Sequence, residues 1–438
     1  MNLSFIYTNS LIDPDRIKNT AKSLEDYAIE LAAVIDAGNY EHDAASLVLP
    51  RDRANLEIVA KVAEAKATNK LKFIVLIGIG GSNLGTQAVY EALNGTEHNF
   101  TRNGGARIFF LDTTAAKKTQ NLLNLLENEC HSQEELLIIA ISKSGGTTET
   151  VAGLEFMNAK LSVKFPQLSE RMVFISDEGS PFWNMAEQNG ISVLPLPKKV
   201  GGRYSVLSAV GLLPLKLAGV DVEMLLQGAE EVCKIGVQAS IETNLPMVSA
   251  VLTYLHSLDG LKINNSFFFN PELEAVGRWY RQLMGESIGK QNNLEGEEVH
   301  SGITPIVSIG STDLHSMAQL YFGGPRDKFT TLVYHSQQDL EVSLPEKLKF
   351  EGLVKGIAGK SFAGIMDAIY GGVKAAYLNN KLPFTEISLE QIDAKTVGSL
   401  LQFKMVEMMY LAKLLNVNAF DQPNVEDYKL ETKKLLEN

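Results

Sequence analysis

The chain has 438 residues, a formal net charge of −12 and a pI of about 5.2. That length accommodates two or three domains with a sizeable core, and the acidic balance lacks the positive field that recruits nucleic acid or an anionic membrane. Its two cysteines, Cys130 and Cys233, lie far apart outside any C-x-x-C spacing, and its seven histidines form no H-x-x-x-H pair. This argues against a disulfide framework and a zinc motif and fits a reducing cytoplasm. The N-terminus, MNLSFIYTNSL, has no basic region ahead of a long apolar core, so no signal peptide is expected. The longest apolar run, Val206–Val220, is broken by Lys216, so no membrane span is expected either.

In chain order, Leu3–Tyr7 reads as a strand, and a helix follows with Leu24, Tyr27, Ala28, Leu31 and Val34 on one face. A second helix is expected over Ala54–Lys66. From Phe73 the pattern alternates. FIVLIG (73–78), RIFFLD (107–112), LLIIAIS (136–142), MVFISD (172–177) and ISVLPL (191–196) are apolar strands, with helices to Leu93 and Leu126 after the first two. Such alternation means βαβ units and a parallel sheet covered on both faces. Helices are expected over Val206–Leu217, Val222–Val237 and Leu245–Leu258. A second alternating block follows, with strands at SFFF (266–269), ITPIVSIG (303–310), FTTLVYH (329–335) and PFTEIS (383–388). Asn270-Pro271 with Glu272 and Glu274 reads as a capped helix start, and that helix is expected to end near Gly285. Further helices are expected over Asp313–Leu320, 361–379, 394–415 and, strongly charged, Asp421–Asn438. No disordered linker or low-complexity segment divides the chain.

The stretch LLIIAISKSGGTTET joins a buried strand to a helix N-terminus through Ser142, Lys143, Ser144, Gly145, Gly146 and Thr147. Backbone N–H groups, hydroxyls and the helix dipole there make a ready phosphate site. An ordinary strand–helix turn with Thr147 as N-cap has the same pattern. Gly78-Ile79-Gly80-Gly81-Ser82-Asn83 approaches a dinucleotide fingerprint but carries Asn83 at the third glycine position, and no Walker A lysine exists. Asp112, at the next strand end, fits a ribose-binding acid or a cap. Two serine-bearing loops at neighbouring strand ends suit one small phosphate ester better than a nucleotide.

Arg203, in Gly201-Gly202-Arg203-Tyr204-Ser205, is placed at a helix start, where the dipole disfavours it; a ligand role and a solvated arginine are both open. Gln282 and Glu286 share a helical face at the C-terminal end, where the dipole disfavours a carboxylate; an exposed glutamate has the same spacing. His315 falls in the first turn of a helix, and Lys429 in FDQPNVEDYK; spacing alone also fits surface residues for both.

GIGGSNLG, ISKSGGTTET, GGRYSVLSAVGLL, GESIGK, TDLHSM and FDQPNVEDYK occur in this order. From about residue 70 to the C-terminus the chain resembles the glucose-6-phosphate isomerase family, in its shorter bacterial form. The GGRYS and FDQP-x-VE-x-x-K blocks are the specific ones. The resemblance implies an α/β fold of two doubly wound parallel-sheet sugar-isomerase (SIS) domains, each a flavodoxin-like three-layer α/β/α unit. It implies residues 1–55 packed on the second domain, a first domain over 56–200 with the phosphate loop, a second over 201–420 with the catalytic Glu and His, and a C-terminal helix, 421–438, with the catalytic Lys. It implies an aldose–ketose isomerase acting on glucose 6-phosphate and fructose 6-phosphate by ring opening and a cis-enediol, with no metal and no cofactor. The expected assembly is a cytoplasmic homodimer with shared active sites.

By the same resemblance, Gly81, Ser82, Ser142, Lys143, Ser144 and Thr147 correspond to the phosphate-binding set, with Gln282 as a further substrate contact. Glu286 corresponds to the base, Arg203 to the arginine facing the enediolate, and His315 and Lys429 to the ring-opening pair. Two positions depart from the family pattern. Asn424 stands where glycine or alanine is usual, and its tolerance of left-handed backbone angles is expected to preserve the turn. Gly145 stands where many members carry an aromatic, which is expected to leave the pocket roomier. A non-catalytic phosphosugar-binding module of the same fold is the alternative; it does not need Glu286, His315 and Lys429 together. An NAD-linked oxidoreductase is disfavoured by Asn83.

Overall fold

The computed structural model describes residues 2–101, 105–337, 340–350 and 352–437; Asn438, the expected last residue of the final helix, lies outside them. The described strands, in chain order, are β1 (Leu3–Ile6), β2 (Phe73–Ile77), β3 (Arg107–Leu111), β4 (Leu136–Ile141), β5 (Met172–Ser176), β6 (Ser192–Pro195), β7 (Ile263–Phe268), β8 (Lys290–Asn292), β9 (Glu298–Ser301), β10 (Thr304–Ile309), β11 (Lys328–Tyr334) and β12 (Phe384–Leu389). They form two five-stranded sheets and one hairpin. The first sheet is wholly parallel in the order β3-β2-β4-β5-β6. The second runs β1-β12-β11-β7-β10, parallel except for β1, which pairs antiparallel with β12.

These orders follow from burial. Every residue of β2, β4 and β5 is buried, as the continuous apolar runs require of strands covered on both faces. In the first sheet the order reverses between β2 and β4, since β3 lies on one side and β5 and β6 on the other. That is the topological switch point, where an open α/β sheet leaves a ligand crevice beyond its strand ends. The loops after β2 and β4 are the two Gly/Ser loops of the sequence.

One core runs between the sheets. It takes Ile74, Leu76 and Ile108 from the first sheet and Phe268, Phe329, Val333 and Ile387 from the second. The helix Ala394–Leu414 is its axis, with every residue from Thr396 to Ala412 buried. A largely apolar helix is what such a central position selects; Lys404 and Glu407 pair within it, whereas the Gln402 amide is buried without a partner among the described residues. Smaller clusters cover the outer faces, around Leu154 and Phe174 on the first sheet and around Phe267 and Tyr377 on the second.

Several elements differ from the sequence reading. β7 begins at Ile263, three residues earlier than expected, because the polar Asn264 and Asn265 are buried in the sheet. The expected helix from Val206 starts at Ala209, capped by Ser208, after a 3-10 turn at Gly202–Tyr204. Asn270 makes no cap: its side chain exchanges hydrogen bonds with the backbone of His335 at the end of β11 (2.8 and 3.1 Å). The helix it was expected to open follows a 3-10 turn, spans Glu274–Ile288 and so contains Glu286. The expected Asp313–Leu320 helix is two pieces, Thr312–Ser316 and Ala318–Gly323. The β8–β9 hairpin carried no apolar alternation to announce it; its turn is made by Asn293, whose side chain accepts from the Glu297 N–H (2.8 Å). Among the described residues no helix is long and apolar enough to cross a membrane.

Candidate active site

The glycines after β2 serve close approach of two loops. A Cβ on Gly81 would lie 2.1 Å from the Gly202 carbonyl carbon, and Gly80, at φ +61°, would meet the Gln282 amide at 2.9 Å. Only glycine lets the 3-10 turn Gly80–Ser82 pack against the turn Gly202–Tyr204. Asn83, which breaks the dinucleotide pattern, is 1% exposed and reaches Asp112 at 3.4 Å. Asp112 caps no helix; it pairs with Lys118 at 2.5 Å.

Arg203 is not a solvated arginine. It is 1% exposed, and all its donors are used. Nε donates to Ser287 (3.0 Å), Nη1 to Glu286 Oε2 (3.1 Å) and Gln422 Oε1 (2.7 Å), and Nη2 to the carbonyls of Ala419 (2.6 Å) and Asp421 (3.1 Å). Trp279 Nε1 donates to the Arg203 carbonyl (3.2 Å), and Tyr204 shares Ser287 (2.9 Å), so the residue is fixed from every side. A buried guanidinium is tolerable because this planar fork is fully satisfied.

Glu286 lies in the last turn of Glu274–Ile288. One carboxylate oxygen takes the Arg203 bond; the other accepts from Gln282 Nε2 at 2.9 Å, one turn earlier on the same face. Its side chain keeps 33% exposure, so the held carboxylate still reaches solvent space. Lys290, beyond the helix end, donates to the Glu286 carbonyl at 2.7 Å.

The loop after β4 has the expected form with different internal bonds. Thr147 occupies the N-cap position of Thr148–Leu161 but makes no side-chain cap; its hydroxyl meets Ser142 Oγ at 3.2 Å. Ser142 Oγ also accepts from the Gly145 N–H (3.0 Å), which curls the loop, and Ser144 is exposed. Lys143 turns away from the hydroxyls. Its ammonium donates to the carbonyls of Lys198 (2.6 Å) and Val200 (3.3 Å), bracing the turn that leads into Gly201–Arg203, and burial lowers its pKa. Gly145 does not enlarge the pocket. It has φ +79°, and a Cβ there would sit 2.7 Å from that of Phe182, which stacks on Phe174.

His315 and Lys429 are not brought to Glu286 by hydrogen bonds within this chain. His315 is exposed on Thr312–Ser316, and Lys429 pairs with Glu426 (2.7 Å) on an exposed helix, Glu426–Glu437. Asn424 sits in the 3-10 turn Pro423–Val425 and is absent from the residues with positive φ, so its left-handed tolerance is not called on; its amide bonds Gln291 at 2.9 Å. The sequence reading missed Gln422, Ser287 and Lys290. All three lie inside quoted blocks, FDQP and GESIGK, and only the fold shows that they converge on Arg203 and Glu286.

Two largely parallel sheets, the first with a Gly/Ser loop at its switch point, make this an α/β protein of the sugar-isomerase (SIS) fold. The same architecture occurs in a tagatose-6-phosphate ketose/aldose isomerase from Escherichia coli (TM-score 0.51, 11% identity, 89% of this chain and 96% of that one). It is also that of a glucose-6-phosphate isomerase from Chlamydia trachomatis (TM-score 0.82, 21% identity, 100% and 88%) and of a hypothetical protein from Thermus thermophilus (TM-score 0.88, 30% identity, 100% of each). In sequence, a glucose-6-phosphate isomerase from Methanocaldococcus jannaschii is 32% identical over 83% of this chain and 84% of its own length. One from Thermus thermophilus is 33% identical over 89% of each. The family model for phosphoglucose isomerase matches residues 50–438, and the chain belongs to that family.

Proposed function

We propose that the protein interconverts glucose 6-phosphate and fructose 6-phosphate, a step shared by glycolysis and gluconeogenesis. The observation that carries this reading is the Glu286 carboxylate, gripped on one oxygen by Arg203 and on the other by Gln282, beside the glycine turn of a switch-point crevice.

Glu286 removes the proton from C2 of the opened sugar and returns it at C1 through a cis-enediol, so one base serves both carbons. Arg203 stabilises the charge that develops on the oxygens. Its Nε and Nη2 are tied to Ser287 and to backbone carbonyls, whereas Nη1 is bound by the Glu286 and Gln422 side chains and not by backbone. Substrate oxygens therefore compete for the Nη1 edge. The phosphate binds to Gly81, Ser82, Ser142, Ser144 and Thr147, at the N-terminus of Thr148–Leu161, and its remote binding energy positions C1 and C2. Lys143 supplies charge nearby while bracing the loop above it.

His315 and Lys429 open the ring, and His315 reaches Glu286 from a second copy of the chain. Two observations support a homodimer with shared sites. His315 is exposed on its own subunit, and the apolar helix Phe362–Asn379 has just two buried residues, Val373 and Tyr377. That helix leaves Phe362 and Leu378 more than half exposed, as an uncovered subunit face does. The two free cysteines, both buried, fit a cytoplasmic protein. We also divide the chain at its sheets: residues 56–200 form the first unit and 201–420 the second, with 1–55 attached through the β1–β12 pairing.

The test is a coupled assay of purified protein on fructose 6-phosphate with a chelator present. Formation of glucose 6-phosphate is expected; no turnover at micromolar enzyme overturns the reading.

A further inference from the structure

Lys290 is the one charged residue of the GESIGK block without a role. Its side chain is 4% exposed, and an ammonium so deeply buried requires oxygen partners. It has three. Nζ donates to the Glu286 carbonyl at 2.7 Å, to the Asp421 carbonyl, and lies 3.0 Å from Asp421 Oδ1. The first partner belongs to the last turn of Glu274–Ile288. There the carbonyls have no intrahelical acceptor role left, and positive charge is favoured. The other two belong to the turn that precedes Gln422.

Arg203 holds the same turn from the other side, through the carbonyls of Ala419 and Asp421, and binds both the Glu286 carboxylate and Gln422. The Asp421 carbonyl thus accepts from two buried cations. The charged groups facing Lys290 are Glu286 on the helix, Asp421 on the turn and Arg203 across the site, and their sum with Lys290 is neutral. Without Lys290, the hydrogen bonds that still join this turn to the helix end, among the described residues, run through Arg203, whose Nη1 the reaction itself requires.

We propose that Lys290 is a positioning residue of the isomerase: it locks the 419–422 turn to the end of the helix that carries Glu286. It touches no reacting atom. It fixes the distance between the base and Gln422, and it anchors the root of the segment that leads to Lys429. This assignment rests on the isomerase reading for its kinetic consequence and on hydrogen bonding alone for its structural one, and the two are separable by experiment.

The experiment compares Lys290→Met, Lys290→Arg and Asp421→Asn with the parent protein. Methionine fills similar volume without donors or charge; arginine keeps both. Hydrogen exchange of the backbone amides 418–425 is read first, because it needs no activity. Lys290→Met is expected to accelerate exchange there at least tenfold while the amides of β2 and β4 stay unchanged. In the assay, kcat is expected to fall at least tenfold and KM to change less than about threefold. Lys290→Arg is expected to recover most of that loss, and Asp421→Asn to show a smaller loss of the same kind. Unchanged exchange at 418–425 in Lys290→Met overturns the proposal. So does unchanged kcat in a folded variant, or a loss that Lys290→Arg does not relieve. If Lys290→Met fails to fold, Asp421→Asn decides by the same two readouts. A parent protein without isomerase activity overturns the functional reading and leaves the exchange result to judge the lock.

Discussion

Glu286 is defined less by its helix than by two neighbours that reach it from different elements. Arg203 and Gln282 each hold one carboxylate oxygen, and both bonds fix orientation without covering the third of the side chain that stays exposed. Glu286→Gln keeps the size and loses the base, so turnover should fall by the roughly 10²–10⁴-fold typical of a general base, with KM little changed. A loss of less than about tenfold in steady-state kinetics reassigns the base. The hydroxyls of the loop after β4 act on binding instead. Ser144→Ala and Thr147→Ala should each weaken sugar-phosphate binding by about 1.5–3 kcal/mol, the worth of a hydrogen bond to an anion. Competitive inhibition by inorganic phosphate should weaken in parallel; unchanged inhibition places the phosphate elsewhere.

A buried histidine outside the site described above is expected to make the protein less stable in acid. His256 is 4% exposed and stacks on Phe329 at 4.9 Å, and burial pushes its pKa down to about 4. In the unfolded chain it titrates near 6.5, so between those values the unfolded state binds the extra proton. Its contribution is complete above about pH 6.5 and is lost as the pH falls towards 4, to a total of about 3 kcal/mol. Urea unfolding at pH 7 and pH 5, at fixed protein concentration, should show this drop reduced by about 2 kcal/mol in His256→Phe. Equal drops in both proteins remove His256 as the cause.

At the scale of elements, the central helix Ala394–Leu414 carries an ion pair where apolar packing was available. Lys404 and Glu407 are 6% and 1% exposed and lie 3.0 Å apart. Ser249 and Tyr280 donate to the same carboxylate at 2.5 and 3.1 Å, so three helices meet on Glu407, including the one that bears Glu286. Removing one partner of such a pair strands the other, and Glu407→Ala should cost about 3–5 kcal/mol in chemical denaturation. The joint replacement Lys404→Met with Glu407→Leu should cost much less, because no charge is left buried. Equal costs for the single and joint changes would falsify the ion-pair account.

The same scale explains what could be read in advance. β2, β4 and β5 were legible because strands buried on both faces are continuous apolar runs, and the two hydroxyl-bearing loops were legible because turns need glycine, serine and threonine. The β8–β9 hairpin was not, since its residues, the buried Lys290 apart, are mostly polar and exposed, and its turn comes from Asn293. Asn270 followed the rule for a cap and was claimed instead by the backbone of β11. The site divides in the same way. Glu286, Gln282 and the loop serines lie in motifs, but the five donors of Arg203 find partners 83 to 219 residues away, a convergence that no local pattern encodes.

For the whole molecule, the question is whether one chain makes a site. His315 and Glu286 belong to different helices, and the exposed apolar helix Phe362–Asn379 offers a face for a second copy. Two individually inactive variants, Glu286→Gln and His315→Ala, decide it. When each site takes Glu286 from one chain and His315 from the other, a mixed dimer has one site with both defects and one with neither. Random assembly of equal amounts makes about half the dimers mixed, so roughly a quarter of the parent activity should return on co-refolding. When both residues come from the same chain, every site keeps one defect and nothing returns. Mixed dimers identified by mass spectrometry that stay inactive would establish a self-contained subunit, and His315 would then have to reach Glu286 by movement of its own short helix.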